Sequence, residues 1–268
     1  MKGLLSVSFG TSHADTRAKT IDAVDADVRA CFPDRAFYTA WTSSRIIAKV
    51  REERGEHHDT LEEAFERLAS DGVDDLVVST MCLMQGHEMN KVARTVGAWA
   101  AEGDRVVRLA APLLMSAEDR VAVARAVAEE FSWLDSSDVL LLMGHGTPQG
   151  TNELYFQIQE AFREIGHDRI IVATVEGALS LDDVMPTVES LQPAKVHLAP
   201  LMVVAGDHAK NDLAGSDEDS WKSKLEARGM NVVAHLKGLG EYAGIRQLVC
   251  DHARAAQPYV SEGAQARA

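Results

Sequence analysis

Eight short runs of apolar and β-branched residues recur along this chain, separated by longer stretches with helical periodicity, and this alternation restricts the fold more than any other feature. The runs cover residues 4–9, 35–41, 75–80, 105–109, 139–143, 169–175, 195–204 and 231–236. Between them, Leu61, Ala64, Phe65 and Leu68 stand at the i, i+3, i+4, i+7 spacing of one helix face. Val123, Ala124, Val127, Ala128 and Phe131 form a second stripe, preceded by Ser116, a helix N-cap with acidic residues close behind it. A strand, helix, strand, helix order predicts the α/β class, with parallel sheets flanked by helices.

The pattern is also duplicated. The first run leads into Phe9-Gly10-Thr11-Ser12, and a run near the middle leads into His145-Gly146-Thr147-Pro148. Later in each half an apolar run meets a glycine and a polar cluster: Cys82-Leu83-Met84-Gln85-Gly86-His87-Glu88 in the first, Met202-Val203-Val204-Ala205-Gly206-Asp207-His208 in the second. Two similar α/β lobes are therefore expected, residues 1–133 and 134–268, facing each other across a cleft, with a disordered polar tail over residues 257–268.

Composition excludes several classes of function. A net charge of −14 disfavours nucleic acid and anionic lipid as partners. No apolar run approaches the roughly 20 residues of a membrane-spanning helix, and the N-terminus reads as a strand, not a signal peptide, so residence in the cytoplasm is expected. The three cysteines, Cys31, Cys82 and Cys250, are widely spaced and suggest neither a disulfide framework nor a zinc knuckle. Gly238-Leu239-Gly240 lacks the third glycine of a dinucleotide fingerprint, and there is no G-x-S-x-G nucleophile elbow.

Of the ten histidines, most have an ordinary reading. His57 and His58 are expected in a solvated loop, and His197 and His235 as satisfied core or interface residues. His145 and His208 differ. Each is placed at the C-terminal end of a predicted strand, the edge at which open parallel sheets bind ligands. Gly144 and Gly146 let the backbone turn sharply around His145. Glu176 ends the strand 169–175. Imidazole and carboxylate suit Co²⁺, Fe²⁺, Ni²⁺ or Zn²⁺. By spacing alone, a shared metal or acid–base site and three unrelated strand-end residues remain open.

Ser8-Phe9-Gly10-Thr11-Ser12, Met143-Gly144-His145-Gly146, the segment from Pro200 to Lys222 and Gly238-Leu239-Gly240-Glu241 together resemble the anaerobic cobalt chelatases of the CbiK type. The matches run in order through nearly the whole chain. The resemblance implies a two-lobed chelatase fold and a lyase-type reaction: insertion of Co²⁺ into sirohydrochlorin, for cobalamin biosynthesis. It implies that the metal is held by His145, Glu176 and His208, and that the macrocycle lies between the lobes. Gly10, Thr11, Ser12, Cys82, His87 and Glu88 are the implied macrocycle contacts. Many relatives carry a histidine where Cys82 stands, so which residue of this loop meets the macrocycle stays open. No cofactor beyond the substrate metal is expected, and Arg45, Lys49, Lys91 and Lys210 are candidate partners for the substrate's carboxylates. The competing readings are a sirohydrochlorin ferrochelatase for sirohaem, a tetrapyrrole or metal carrier without turnover, and a two-lobed small-molecule binder. A homo-oligomer is left open.

Overall fold

The computed structural model describes residues 1–146 and 153–259. By compactness the chain divides into two units, Met1–Met115 with Arg246–Ala268, and Ser116–Ile245. Against a single cut at 133/134, the first boundary lies at 115/116, so residues 116–133 go with the second unit, and the chain returns to its first unit at the end. Arg246 pairs with Asp27 at 2.7 Å and His252 Nδ1 bonds the Ala111 carbonyl at 3.0 Å, both within the first unit.

The first unit contains β1 (Lys2–Ser8), α1 (Ala14–Lys19), α2 (Ile21–Cys31), β2 (Ala36–Trp41), α3 (Ser44–Arg54), α4 (Leu61–Ser70), β3 (Asp75–Thr80), α5 (His87–Ala100) and β4 (Val106–Leu109). The second contains α6 (Ala117–Glu130), β5 (Val139–Gly146), α7 (Glu153–Glu164), β6 (Ile170–Glu176), α8 (Leu181–Ser190), β7 (Val196–Pro200), a π-helical turn (Ala209–Leu213), α9 (Trp221–Ala227) and β8 (Val232–Ala234). Helix α10 (Ala243–Ala255) and the short strand β9 (Gln257–Pro258) close the described chain.

The duplication is carried by topology. The first sheet has the order β2-β1-β3-β4-β9 and the second β6-β5-β7-β8; every pairing is parallel except β4 with β9. In each unit the winding reverses between the first and third strands, β1 and β3 or β5 and β7. At such a switch point the loops leaving the strands diverge and open a crevice at the carboxyl edge. That geometry places the ends of β1, β3, β5 and β7 in the ligand-binding position.

Strands covered by helices on both faces read as continuous apolar runs. Leu140, Leu141, Leu142 and Met143 are all buried in β5, with Val139, Leu141 and Met143 packing on Leu198, Val184 and Leu225. In the first unit Leu5, Val7, Leu76 and Val78 pack on Leu61, Phe65, Val92 and Trp99. Capping boxes at Thr60/Glu63, Ser116/Asp119 and Ser180/Asp183 start α4, α6 and α8, each stabilising its helix by about 1 kcal/mol.

Three expectations need correction. Strand β7 stops at Pro200 instead of running to residue 204, because residues 202 and 203 turn their carbonyls to Leu239 N and Gly240 N instead of a neighbouring strand. Gln257 and Pro258, expected in the disordered tail, pair with Leu109 and Arg108. His58 is not solvated: it stacks on Trp41 with ring centroids 3.6 Å apart and faces Arg17 and Glu56. Among the described residues no helix is long and apolar enough to cross a membrane.

One face of β1 is polar in the interior. Ser6 and Ser79 are in register on β1 and β3, and Ser6 Oγ, Ser8 Oγ, Ser79 Oγ and Asp25 Oδ1 are buried without a hydrogen-bond partner among the described residues. Burial pushes the Asp25 carboxyl up to about 7; the nearby Ser6 hydroxyl opposes this and the Asp22 charge adds to it. A carboxyl raised on folding stabilises the fold below its unfolded value near 4, and that contribution is lost as pH rises from there to about 7. Asp25→Asn should therefore match wild type near pH 4 and exceed it at pH 8 by about 1–3 kcal/mol, short of the roughly 4 kcal/mol of the full displacement. Urea unfolding at the two pH values checks this, and an unchanged difference between them would show that Asp25 is ionised in the fold.

Candidate functional site

His145 lies in the last turn-out of β5, between two glycines that the packing requires. A Cβ on Gly144 would come within 2.2 Å of the Tyr155 ring, which is buried beneath the strand. Gly146 adopts φ +78°, and a Cβ there would lie 1.8 Å from the Glu176 carbonyl oxygen on β6. Gly146 N–H donates to the Tyr155 hydroxyl at 3.1 Å. The imidazole is thereby pushed out and left exposed, with Nδ1 2.9 Å from the Gly146 carbonyl.

His208 reaches the same place by another route. It is not at the end of β7 but eight residues beyond Pro200, entering the π-helical turn with φ −60° and ψ −41°. π-turns are rare and often accompany functional sites, since the extra residue re-aims side chains. Its Nδ1 is 2.5 Å from Asp212 Oδ2, one turn on. The His145 and His208 rings meet edge to face, centroids 4.6 Å apart, one at the end of β5 and the other in the segment that follows β7, the two strands that flank the switch point of the second sheet.

Glu176 stands opposite Gly146 in the β5–β6 register and is exposed. The turn behind it is tight: Thr174 Oγ1 donates to the Ala178 carbonyl at 2.8 Å, and Leu179 is held at φ +73°. The structure thus brings the two histidines together and leaves the carboxylate one strand away. Among the described residues, the trio of His, Asp and Glu whose ligand atoms all lie within 4.8 Å of one another is instead His57, Asp59 and Glu63. That trio is a structural network. Arg51 meets His57, Arg67 meets Asp59, and Glu63 caps the Thr60 N–H. Two guanidiniums beside it repel a cation.

At the carboxyl edge of the first sheet, Gly10 (φ +90°) lies directly on the Trp41 ring; a Cβ would meet it at 2.6 Å. Thr11 and Ser12 are buried, and both are engaged in shaping the loop: Thr11 Oγ1 accepts from His13 N at 3.2 Å, and the Ser12 carbonyl from Arg54 Nη1 at 2.7 Å. Phe9, which spacing did not single out, is 53% exposed at the same edge. In the loop after β3, Cys82 is half-buried, its thiol pushed up chiefly by burial. His87 is exposed, and Glu88, in the first turn of α5, has a buried Oε2 without a partner among the described residues. Lys91 is engaged with the Thr42 carbonyl at 2.9 Å.

The remaining histidine cluster is structural. His197, 3% exposed, bonds Asp138 Oδ2 at 3.2 Å and His235 Nε2 at 2.9 Å, with Phe131 and Trp133 edge-on to the rings. Burial holds His235 below the usual imidazole range.

Two α/β units of repeated topology, with imidazoles converging at one carboxyl edge, define a chelatase-like architecture. The solved structures bear this out: SirB from Bacillus subtilis with Fe³⁺ superposes with a TM-score of 0.64 over 95% of both chains at 13% identity, and CbiX, described as the terminal enzyme for sirohaem biosynthesis in denitrifying bacteria, with 0.56 over 96% of this chain and all of its own at 17%. The chain belongs to the cobalt chelatase (CbiK) family, whose model matches residues 2–257. It is 35% identical to the sirohydrochlorin cobaltochelatase of Salmonella typhimurium over 94% of each chain. It is 28% identical to the sirohydrochlorin cobaltochelatase CbiKC of Nitratidesulfovibrio vulgaris, over 95% of this chain and 90% of that one.

Proposed function

We propose that this protein is a lyase-type chelatase that inserts Co²⁺ into sirohydrochlorin, with His145 and His208 receiving the metal and Glu176 supplying a negative charge beside them. The observation that carries the site is the meeting of the two imidazoles, 4.6 Å apart, at the switch point of the second sheet. The family carries the substrate.

Metallation removes two pyrrole protons and strips water from the cation. Imidazole serves both steps, because it binds borderline divalent metals and takes up protons near neutral pH. Glu176, exposed on the adjacent strand end, offsets the cation's charge and draws it toward the histidines. No nucleotide is required by the reaction. Binding energy from the substrate's carboxylates is available to hold the ring bent, so that its nitrogen lone pairs are presented to the metal. In the first unit, we assign contact with the macrocycle to the loops holding Gly10, Thr11 and Ser12 and Cys82, His87 and Glu88. Thr11 and Ser12 shape the backbone there, Thr11 through its hydroxyl oxygen and Ser12 through its main-chain carbonyl. Phe9 adds an exposed ring for a flat ligand.

The test is anaerobic mixing of the protein with sirohydrochlorin and Co²⁺, followed in the visible spectrum. The expected result is conversion to the cobalt product well above the protein-free rate. A rate equal to that blank, from folded protein, would overturn the catalytic reading in favour of a carrier. The same assay with Fe²⁺ ranks the two metals.

A further inference from the structure

We infer that Asp212 is the positioning residue of the metal site: it holds His208 in the tautomer that carries its lone pair on Nε2, matching the tautomer that the Gly146 carbonyl imposes on His145. The inference rests on the proposed metal role of the two histidines and adds which nitrogen of each is the ligand, and why.

The argument is one of donors and acceptors. A carbonyl oxygen only accepts, so the 2.9 Å contact between His145 Nδ1 and Gly146 O requires the proton on Nδ1. An ionised carboxylate likewise only accepts, so the 2.5 Å contact between His208 Nδ1 and Asp212 Oδ2 requires the same of His208. In the neutral rings, both Nε2 atoms are then bare. The two histidines reach this state by unlike means. His145 uses a neutral backbone oxygen next to it, held by the glycine turn against β6. His208 lies outside the sheet and uses a side chain four residues on, which the π-helical turn brings back beneath it. A carboxylate behind a histidine also makes it a stronger donor to a metal, and removing such a partner weakens metal binding by about 10–100-fold. The His208 side chain is 40% exposed and that of Asp212 44%, so the pair is not part of the packed core, and a structural role would leave little to lose.

Three chains decide the matter: wild type, Asp212→Ala and Asp212→Asn. Co²⁺ binding without tetrapyrrole is titrated by the visible absorption of the bound ion, and long-range ¹H–¹⁵N spectra of the metal-free protein report the histidine tautomers. Asp212→Ala should weaken Co²⁺ binding about 10–100-fold, and His208 should lose its fixed Nδ1–H form. Asp212→Asn, whose amide oxygen can accept the same N–H, should recover the tautomer and most of the affinity. Thermal unfolding should be alike in all three. Asp212→Ala with unchanged tautomer and Co²⁺ affinity within about twofold of wild type would overturn the role of Asp212. Wild type that neither binds Co²⁺ nor metallates sirohydrochlorin would instead sink the chelatase reading, and the tautomer spectra would still decide what Asp212 does.

Discussion

His145→Ala and His208→Ala should each cut the rate of cobalt insertion by roughly 10²–10⁴-fold while leaving the fold intact. The two imidazoles stand at one point, from separate chain segments, and a metal shared between them loses half its nitrogen ligands when either is removed. Neither supports the core: His145 is exposed and the side chain of His208 is 40% so, which keeps the cost to stability within about 0.5 kcal/mol. Because the pair acts as one unit, the double variant should be scarcely slower than the worse single one. Glu176→Ala should lose less, on the order of 10-fold, as expected of a charge one strand removed. Initial rates from the visible spectrum, with circular dichroism on each variant, make the comparison. A Glu176 variant as damaged as the histidine variants would show that the carboxylate swings in to ligate the metal during turnover. Full activity in either histidine variant would remove that residue from the site.

The parts of this molecule that follow from local rules were legible in the sequence. Apolar runs such as Leu140-Leu141-Leu142-Met143 have one stable use, a strand covered on both faces, and Ser116 and Asp119 announce a helix start by chemistry alone. What depended on distant partners was not. The strand 195–204 reads as continuous, but Leu239 and Gly240 take the carbonyls of residues 202 and 203 and end it early. His58 looks solvated in its charged stretch until Trp41, from the end of β2, is placed against it. The histidines of the site stood out because glycines flank one and a long motif holds the other. Asp212 was visible only as part of that motif, although its position four residues after His208 is the one signal that could have shown its role, given a helical turn there. Thr11 and Ser12 have the composition of carboxylate donors, yet both are buried, and the Thr11 hydroxyl oxygen and the Ser12 main-chain carbonyl brace the loop that bears them.

Gly146→Ala should be the most damaging single methyl added to this protein. Two separate costs meet at this position. The backbone is at φ +78°, where an L side chain costs roughly 1–2 kcal/mol, and the new Cβ would sit 1.8 Å from the Glu176 carbonyl, which is backbone and cannot rotate aside. The end of β5 must then part from β6, taking with it the carbonyl that bonds His145 Nδ1 and the N–H that donates to Tyr155. A loss of about 2–4 kcal/mol in stability and at least about 100-fold in cobalt insertion is expected together. Gly166→Ala separates the two causes. Gly166 has φ +83°, but among the described residues nothing lies within 4 Å of its Cβ position, and it stands before β6, at the opposite edge of the sheet from the histidines. It should lose about 1 kcal/mol and keep its activity. Urea unfolding and initial rates on both variants give the answer. If Gly146→Ala matched Gly166→Ala in both, backbone strain alone would explain the glycine and the β5–β6 contact would have no part in aiming His145. The larger, coupled loss would show that the same close approach that forbids a side chain at residue 146 is what sets the imidazole before it.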